Sequence, residues 1–286
     1  MDIVASRGVR VSIGGELSWP AVSRLLLDAE WESEPGWLTV AFDRTALCLL
    51  REEIGGKAEL RRGPESTDGE FFGAEHVTLV ATREPITLYG RQVRAARMAC
   101  LLFDPEGIPE LSVQSPGRTW PARSRIMFRD ERVHTCARLL SEHDGPGGPD
   151  PYVAGLIRAL LGTLSAAQTN PAPASRGTLA GAALQGVFEY IDEHLDQNVA
   201  NGDLARVAGL SASAFGRRFR DLTGMSPQRW QMDARVRLAQ RLLLDEPEEP
   251  LATVACRAGF SDQSHFSRAF LDIVGKSPMA WLRQRR

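Results

Sequence analysis

The chain has 286 residues, enough for two ordinary domains with separate cores. With 43% hydrophobic and 24% charged residues it has the composition of a soluble globular protein, and no apolar run approaches the roughly 20 residues that span a bilayer. A net charge of −2 argues against a uniformly basic nucleic-acid coat, yet the charge is uneven: residues 1–174 hold 19 Lys and Arg against 23 Asp and Glu, and residues 175–286 hold 15 against 13.

The first residues, Met1 to Arg7, lack the basic start and apolar core of a signal peptide, so a cytoplasmic protein is expected. Four runs then read as short strands: Trp37–Phe42, Val77–Ala81, Ile86–Tyr89 and Met98–Phe103. Gly55-Gly56, Asp68-Gly69, Glu84-Pro85 and Pro105-Glu-Gly107 punctuate them as turns, and many short strands of this kind suggest a sandwich or barrel. Trp37, Phe42, Tyr89 and Arg91 either line a mostly apolar pocket or fill the interior. Two helices come next. Val133, Cys136, Ala137 and Leu140 recur at helical spacing in Asp130–His143, as do Val153, Leu156, Ile157, Leu160 and Leu161 in Tyr152–Leu164.

Nothing in this half spells out catalysis or metal binding. Cys48, Cys100, Cys136 and Cys256 form no CxxC pair, and His76, His134 and His143 are isolated, so no catalytic residue, metal or cofactor is expected. Ser165 to Gly177 is small, polar and proline-containing, which reads as a linker. The domains are accordingly placed at 1–165 and 181–286, with 166–180 between them.

The last third reads as helix throughout. Leu184, Val187, Phe188, Ile191 and Leu195 make one apolar stripe, and Asp203–Ala208 is a short helix closed by Gly209. Ser211 can cap the next helix, which runs to Thr223 with Gly224 as its stop, and Pro227 opens a long helix to about Leu244. Pro247 and Pro250 end it, and the series begins again. Phe215–Trp230 aligns without gaps on Phe266–Trp281, with Phe, Arg, Phe, Asp, Gly, Ser, Pro and Trp coinciding at eight of sixteen positions. Leu204-Ala-x-Val-Ala208 matches Leu251-Ala-x-Val-Ala255, and Gly209-Leu-Ser211 matches Gly259-Phe-Ser261. The pattern is that of two helix-turn-helix units about fifty residues apart.

Each matched residue type has a physical task. Gly209 and Gly259 supply positive φ at the turn, and Ser211 and Ser261 can each cap the second helix of their unit. Phe215 with Phe219, and Phe266 with Phe270, share one buried face, so Arg217 and Arg268, two residues after the first Phe, point away from it. A helix exposing arginine and short polar residues can meet base edges and phosphates in a major groove; a solvated face is the plainer alternative. Trp230 and Trp281, just inside helix starts, read as core packing or as stacking platforms. His265 is either a DNA contact or exposed polar surface, and Arg283 to Arg286 either holds phosphates or frays.

Residues 184–286 resemble the DNA-binding domain of the AraC/XylS family of transcriptional regulators. The resemblance rests on Ala258-Gly-Phe-Ser-Asp-Gln-Ser-His-Phe-Ser-Arg-Ala-Phe270 with Gly275-Lys-Ser-Pro278, and on Leu204–Ser211 with Gly224-Met-Ser-Pro227. It implies an α+β protein: an N-terminal cupin-like β-barrel with following helices, then two helix-turn-helix subdomains joined by a long helix and entering successive major grooves. By position, the DNA-facing residues would be Ser213, Gly216 and Arg217 in the first unit and Gln263, Ser264, His265, Ser267 and Arg268 in the second. Gly216 has no side chain where the family often has a polar reader, and Leu271 stands where a basic residue is usual, whereas Arg220 keeps it. The acidic spacer Asp245–Pro250 should face away from phosphates.

The family resemblance further implies a regulator of promoter DNA, more often an activator, working with RNA polymerase, homodimeric and responsive to a small-molecule effector. The alternatives are a dimer whose N-terminal domain senses nothing and an enzyme domain fused to the DNA-binding unit.

Overall fold

The computed structural model describes residues 1–32, 35–62, 69–71, 76–90, 92–104, 121, 124–145, 148–169 and 181–285. The chain divides into two compact units, the first running to Arg176 (residues 54–56 aside) and the second from Gly177. The architecture is α+β, strands first and helices after.

The strands are β1 (Asp2–Ala5), β2 (Val9–Trp19), β3 (Val22–Trp31), β4 (Gly36–Ala41), β5 (Thr45–Gly55), β6 (Ala58–Arg61), β7 (Gly69–Phe71), β8 (His76–Val80), β9 (Ile86–Gly90), β10 (Val93–Phe103) and β11 (Arg125–Arg129). They form two antiparallel sheets, in the orders β1-β4-β9-β6-β7 and β11-β8-β5-β10-β3-β2. Leu38, Val40, Leu60, Ile86 and Leu88 from the first sheet meet Leu25, Leu27, Trp31, Cys48, Met98 and Cys100 from the second in one core. The opposite face of the six-stranded sheet makes a second core, in which Leu47, Leu49, Ala99, Leu101 and Phe103 pack with helices α1 (Glu131–Glu142) and α2 (Pro151–Thr169). Side chains alternate across a strand, so β5 and β10 are apolar on both faces. That is why Met98–Phe103 is a continuous apolar run.

Arg24 of β3 fastens the helical layer to this sheet. Its guanidinium donates to the carbonyls of Ser141, at 2.9 Å, and His143, at 2.7 Å, and with longer bonds to the carbonyl of Gly15. Two of these are the carbonyls that the end of α1 leaves unpaired. Desolvation lowers the pKa of Arg24, opposed by the nearby Asp144 carboxylate. At the other end of α1, Asp130 accepts from the backbone NH groups of Arg132 and Val133.

Three expectations change. The proposed pocket-lining set comes apart, because Trp37 pairs directly with Tyr89 in the register of β4 and β9, and both alternate with the inward Leu38 and Leu88. Trp37 and Tyr89 therefore lie on the outer face, where Thr39 and Thr87 share a 2.8 Å hydrogen bond and Arg61 sits 4.3 Å over the Tyr89 ring. Phe42 fills the core, and Arg91 lies outside the described residues. Next, α2 runs to Thr169, four residues into the expected linker; the remainder, 170–180, lies outside the described residues. Finally, β1, β2, β3, β5, β6, β7 and β11 are strands beyond the four runs that the sequence suggests.

The second unit contains α3 (Gly181–Glu193), α4 (Asn201–Val207), α5 (Ala212–Thr223), α6 (Pro227–Asp245), α7 (Leu251–Arg257), α8 (Gln263–Val274) and α9 (Pro278–Arg283). Among the described residues no helix is long and apolar enough to cross a membrane, and no group of three or more His, Cys, Asp or Glu is placed to hold a metal.

Candidate nucleic-acid interface

Helices α5 and α8 occupy equivalent places in the two repeats, each set on an aromatic floor. Phe215 and Phe219 are fully buried under α5, with ring centroids 5.4 Å apart. Trp230 meets Phe219 edge-on and stacks on Phe188 with centroids 4.5 Å apart. Phe266, Phe270 and Trp281 repeat the arrangement under α8. Both tryptophans are core residues, and stacking platforms they are not.

The helix ends are fixed by local chemistry. Ser211 Oγ accepts from Ala214 NH at the start of α5, and Gly224, at φ 77°, closes it by donating its NH to Arg220 O. Gly275, at φ 76°, does the same for α8 through Leu271 O. Such left-handed closures favour glycine because it has no Cβ to clash.

The start of α8 departs from expectation. Its cap is Asp262, which accepts from His265 NH at 2.7 Å, while Ser261 Oγ donates to Asp262 Oδ2 at 3.0 Å. The second turn is one residue longer: six positions separate Gly209 from Phe215 and seven separate Gly259 from Phe266. The aspartate takes the position next to the helix, and its hydrogen bonds, chiefly that from His265 NH, lower its pKa.

A residue two places beyond a buried Phe lies about 200° around a helix and so faces outward. Arg217 and Arg268 are both exposed and form no ion pair or hydrogen bond among the described residues. Ser213 is exposed on α5, and Gly216 is half-buried with open space where a Cβ would stand. On α8, Gln263 and Ser264 are exposed and Ser267 is half-buried. His265 is half-buried, its ring edge-on to Phe260 and its Nδ1 3.3 Å from Ser261 Oγ. Each set therefore lies along its own helix, on or beside the solvent face. Arg218, adjoining Arg217 and outside the expected set, is exposed as well.

Neighbouring charges are mostly engaged. Glu246 and Glu249, from the acidic spacer, each accept from Arg257 at 2.8 Å. Those hydrogen bonds, Glu246 first, raise the Arg257 pKa and occupy the spacer's carboxylates locally. At the end of the chain, the Arg285 guanidinium lies 4.3 Å over the Trp281 ring, and α9 holds Arg283, so the tail as far as Arg285 is folded against the second unit.

A helix-turn-helix domain model matches residues 204–284. Among curated proteins, "Probable transcriptional regulator LumQ" of Photobacterium leiognathi is 38% identical over 32% of this chain and 37% of its own length. The arabinose operon regulatory protein of Escherichia coli is 40% identical over 32% of this chain and 31% of its own. Residues 204–284 form a helix-turn-helix domain of the AraC type. A longer match, to the HTH-type transcriptional activator RhaS of Klebsiella pneumoniae, is 31% identical over 60% of this chain and 61% of RhaS. The chain thus spans about a third of the length of the first two relatives. The AraC/XylS match embraces both α5 and α8, with the turns and caps that set them.

Proposed function

We propose that the chain is a transcriptional regulator that binds promoter DNA by placing α5 and α8 in successive major grooves. The observation that carries this is the repeated arrangement itself: two helices on matched Phe–Phe–Trp floors, each presenting one arginine at the same outward position beside short polar residues. Arginine reads guanine bidentately, and the serine and glutamine side chains supply further hydrogen bonds to base edges. Ser213 and Arg217 on α5, and Gln263, Ser264, His265, Ser267 and Arg268 on α8, form the proposed contact set, with Gly216 permitting close approach of the backbone. Related proteins named as operon regulators and as an activator support this reading and favour activation; an activator of this kind would work with RNA polymerase. The first unit, with its two sheets and helices α1 and α2, then dimerises the chain and binds a small organic effector.

A second reading, in which the first unit only dimerises, draws support from the filled core between the two sheets and from the outward placement of Trp37 and Tyr89.

The test is selection of duplexes from random DNA by the full chain, followed by footprinting. Two protected blocks about one helical turn apart, roughly 10–11 base pairs, are expected. Retention of random DNA without enrichment would refute sequence-specific binding.

A further inference from the structure

The two repeats align closely, but their turn glycines are not in the same situation. Gly209 and Gly259 have similar positive φ, 65° and 81°. A Cβ built at Gly209 would meet nothing within 4 Å. At Gly259 it would lie 2.0 Å from the carbonyl oxygen of Leu195 and 3.1 Å from Nε of Arg235. The second turn is therefore pressed against the chain just beyond α3, which belongs to the first repeat.

Arg235 of the long helix α6 completes the contact. Its Nε donates to Leu195 O at 2.8 Å and its Nη2 to Gln197 O at 2.7 Å. Four residues earlier on α6, Gln231 Nε2 donates to Val199 O at 2.9 Å in a buried bond. Arg235 is 8% exposed, so these bonds form largely out of water, where a carbonyl without a donor is costly. Elsewhere along the connection, Arg229 at the start of α6 pairs with Asp272 of α8. An exposed ion pair of that kind adds little by itself. The first repeat, the connecting helix and the second turn thus meet at one point, Leu195 O.

We infer that Arg235 and Gly259 are positioning residues that lock the two helix-turn-helix units into one rigid reader, and so fix the spacing and phase of the DNA blocks the chain accepts. The inference rests on the DNA-binding reading above. Two modules joined by a helix alone would tilt about it and tolerate a change of phase. Held together at a packed junction, they cannot both engage sites that have been rotated apart, and the gain from binding together is lost.

The experiment uses the full chain and a duplex that the wild type selects from random DNA, alongside the same duplex with about five base pairs, half a helical turn, inserted between the protected blocks. Wild type should lose about 100-fold in affinity on the insertion. Arg235→Met and Gly259→Ala should bind the parent duplex more weakly and reduce the insertion penalty to below about tenfold. Gly209→Ala, which carries the same φ cost without the contact, should keep the wild-type penalty. Arg235→Lys, which retains the charge and one donor, should fold and give an intermediate penalty, keeping the test decisive if the harsher variants unfold. Wild-type penalties in Arg235→Lys and in every folded variant would overturn the inference. A wild type that pays no insertion penalty would also overturn the inference, whereas a wild type that selects no duplex would overturn the DNA-binding reading on which it rests.

Discussion

Truncating Arg268 to alanine separates recognition from folding, because the side chain has no structural task in the free protein. It is exposed on α8, between the buried Phe266 and Phe270, and has no hydrogen bond or ion pair among the described residues. Its removal opens no cavity and orphans no buried group. Unfolding free energy should stay within about 0.5 kcal/mol of wild type, and the helical circular dichroism should be unchanged. On a selected duplex, a lost bidentate contact to guanine costs about 1–3 kcal/mol, or about 5- to 160-fold in Kd. Titration against the selected duplex, against that duplex with the contacted base pair changed, and against random DNA divides the possibilities. Base readout requires a loss on the first that largely disappears on the second. A phosphate contact gives equal losses on all three and lowers the slope of log K against log salt by about one. Arg217→Ala on α5 should behave in the same way. Unchanged affinity for the selected duplex in both variants would refute the reasoning.

Arg24→Leu should behave in the opposite sense: it removes the donor for Ser141 O and His143 O at the end of α1, so unfolding free energy should fall by about 1–3 kcal/mol by denaturant titration, and a change under about 0.5 kcal/mol would contradict that role. The Asp262 cap predicts a pH dependence. Its folded pKa is lowered, chiefly by the His265 NH, so its contribution is present above the unfolded value near 3.9 and is lost as pH falls through the folded one. The denaturation midpoint of wild type relative to Asp262→Asn should therefore decline on acidification from about pH 5 to about pH 3; a constant difference would show that the charge of Asp262 is immaterial.

The helical third was legible because its signals are local. The spacing of Phe215 and Phe219, the serine before Pro227 and the glycine after Thr223 each act within one or two turns, and the repeat states them twice. The cap of α8 was missed because Ser261 and Asp262 are both good caps, and only the longer turn decides between them. In the first unit the runs buried on one or both faces, such as Met98–Phe103, were readable. β2 was not, since Gly14-Gly15 resembles a turn and its pairing with β3 shifts register between Gly14 and Leu17. The direction in which Trp37 and Tyr89 point depends on the register of β4 against β9, a non-local fact. For the same reason Gly259 and Gly209 look alike until the carbonyl of Leu195 is seen lying against only one of them.

The second unit has little net positive charge for a DNA reader, and the pairing of its arginines resolves the difficulty. Of the 15 basic residues beyond position 174, several do other work. Arg235 is buried on backbone carbonyls, and Arg237 is buried beside Asp233. Arg206 pairs with Asp203, Arg229 with Asp272, and Arg257 with two glutamates. Arg285 lies over Trp281. Pairing an arginine with a carboxylate cancels its field beyond a few ångströms, and burial commits it to structure. By contrast Arg217, Arg218 and Arg220 on α5 and Arg268 on α8 are exposed and form no ion pair among the described residues. Arg241, Lys276 and Arg283 also form no ion pair among the described residues, so unpaired positive charge extends beyond α5 and α8, although these two helices hold those four arginines beside their exposed polar residues. Three of those four arginines stand on α5, whose polar row is interrupted by Gly216, and one stands on α8 among Gln263, Ser264 and Ser267. On the proposed DNA-binding reading, attraction to phosphate would be weighted toward α5 and base discrimination toward α8, a division that neither net charge nor the repeat alone discloses.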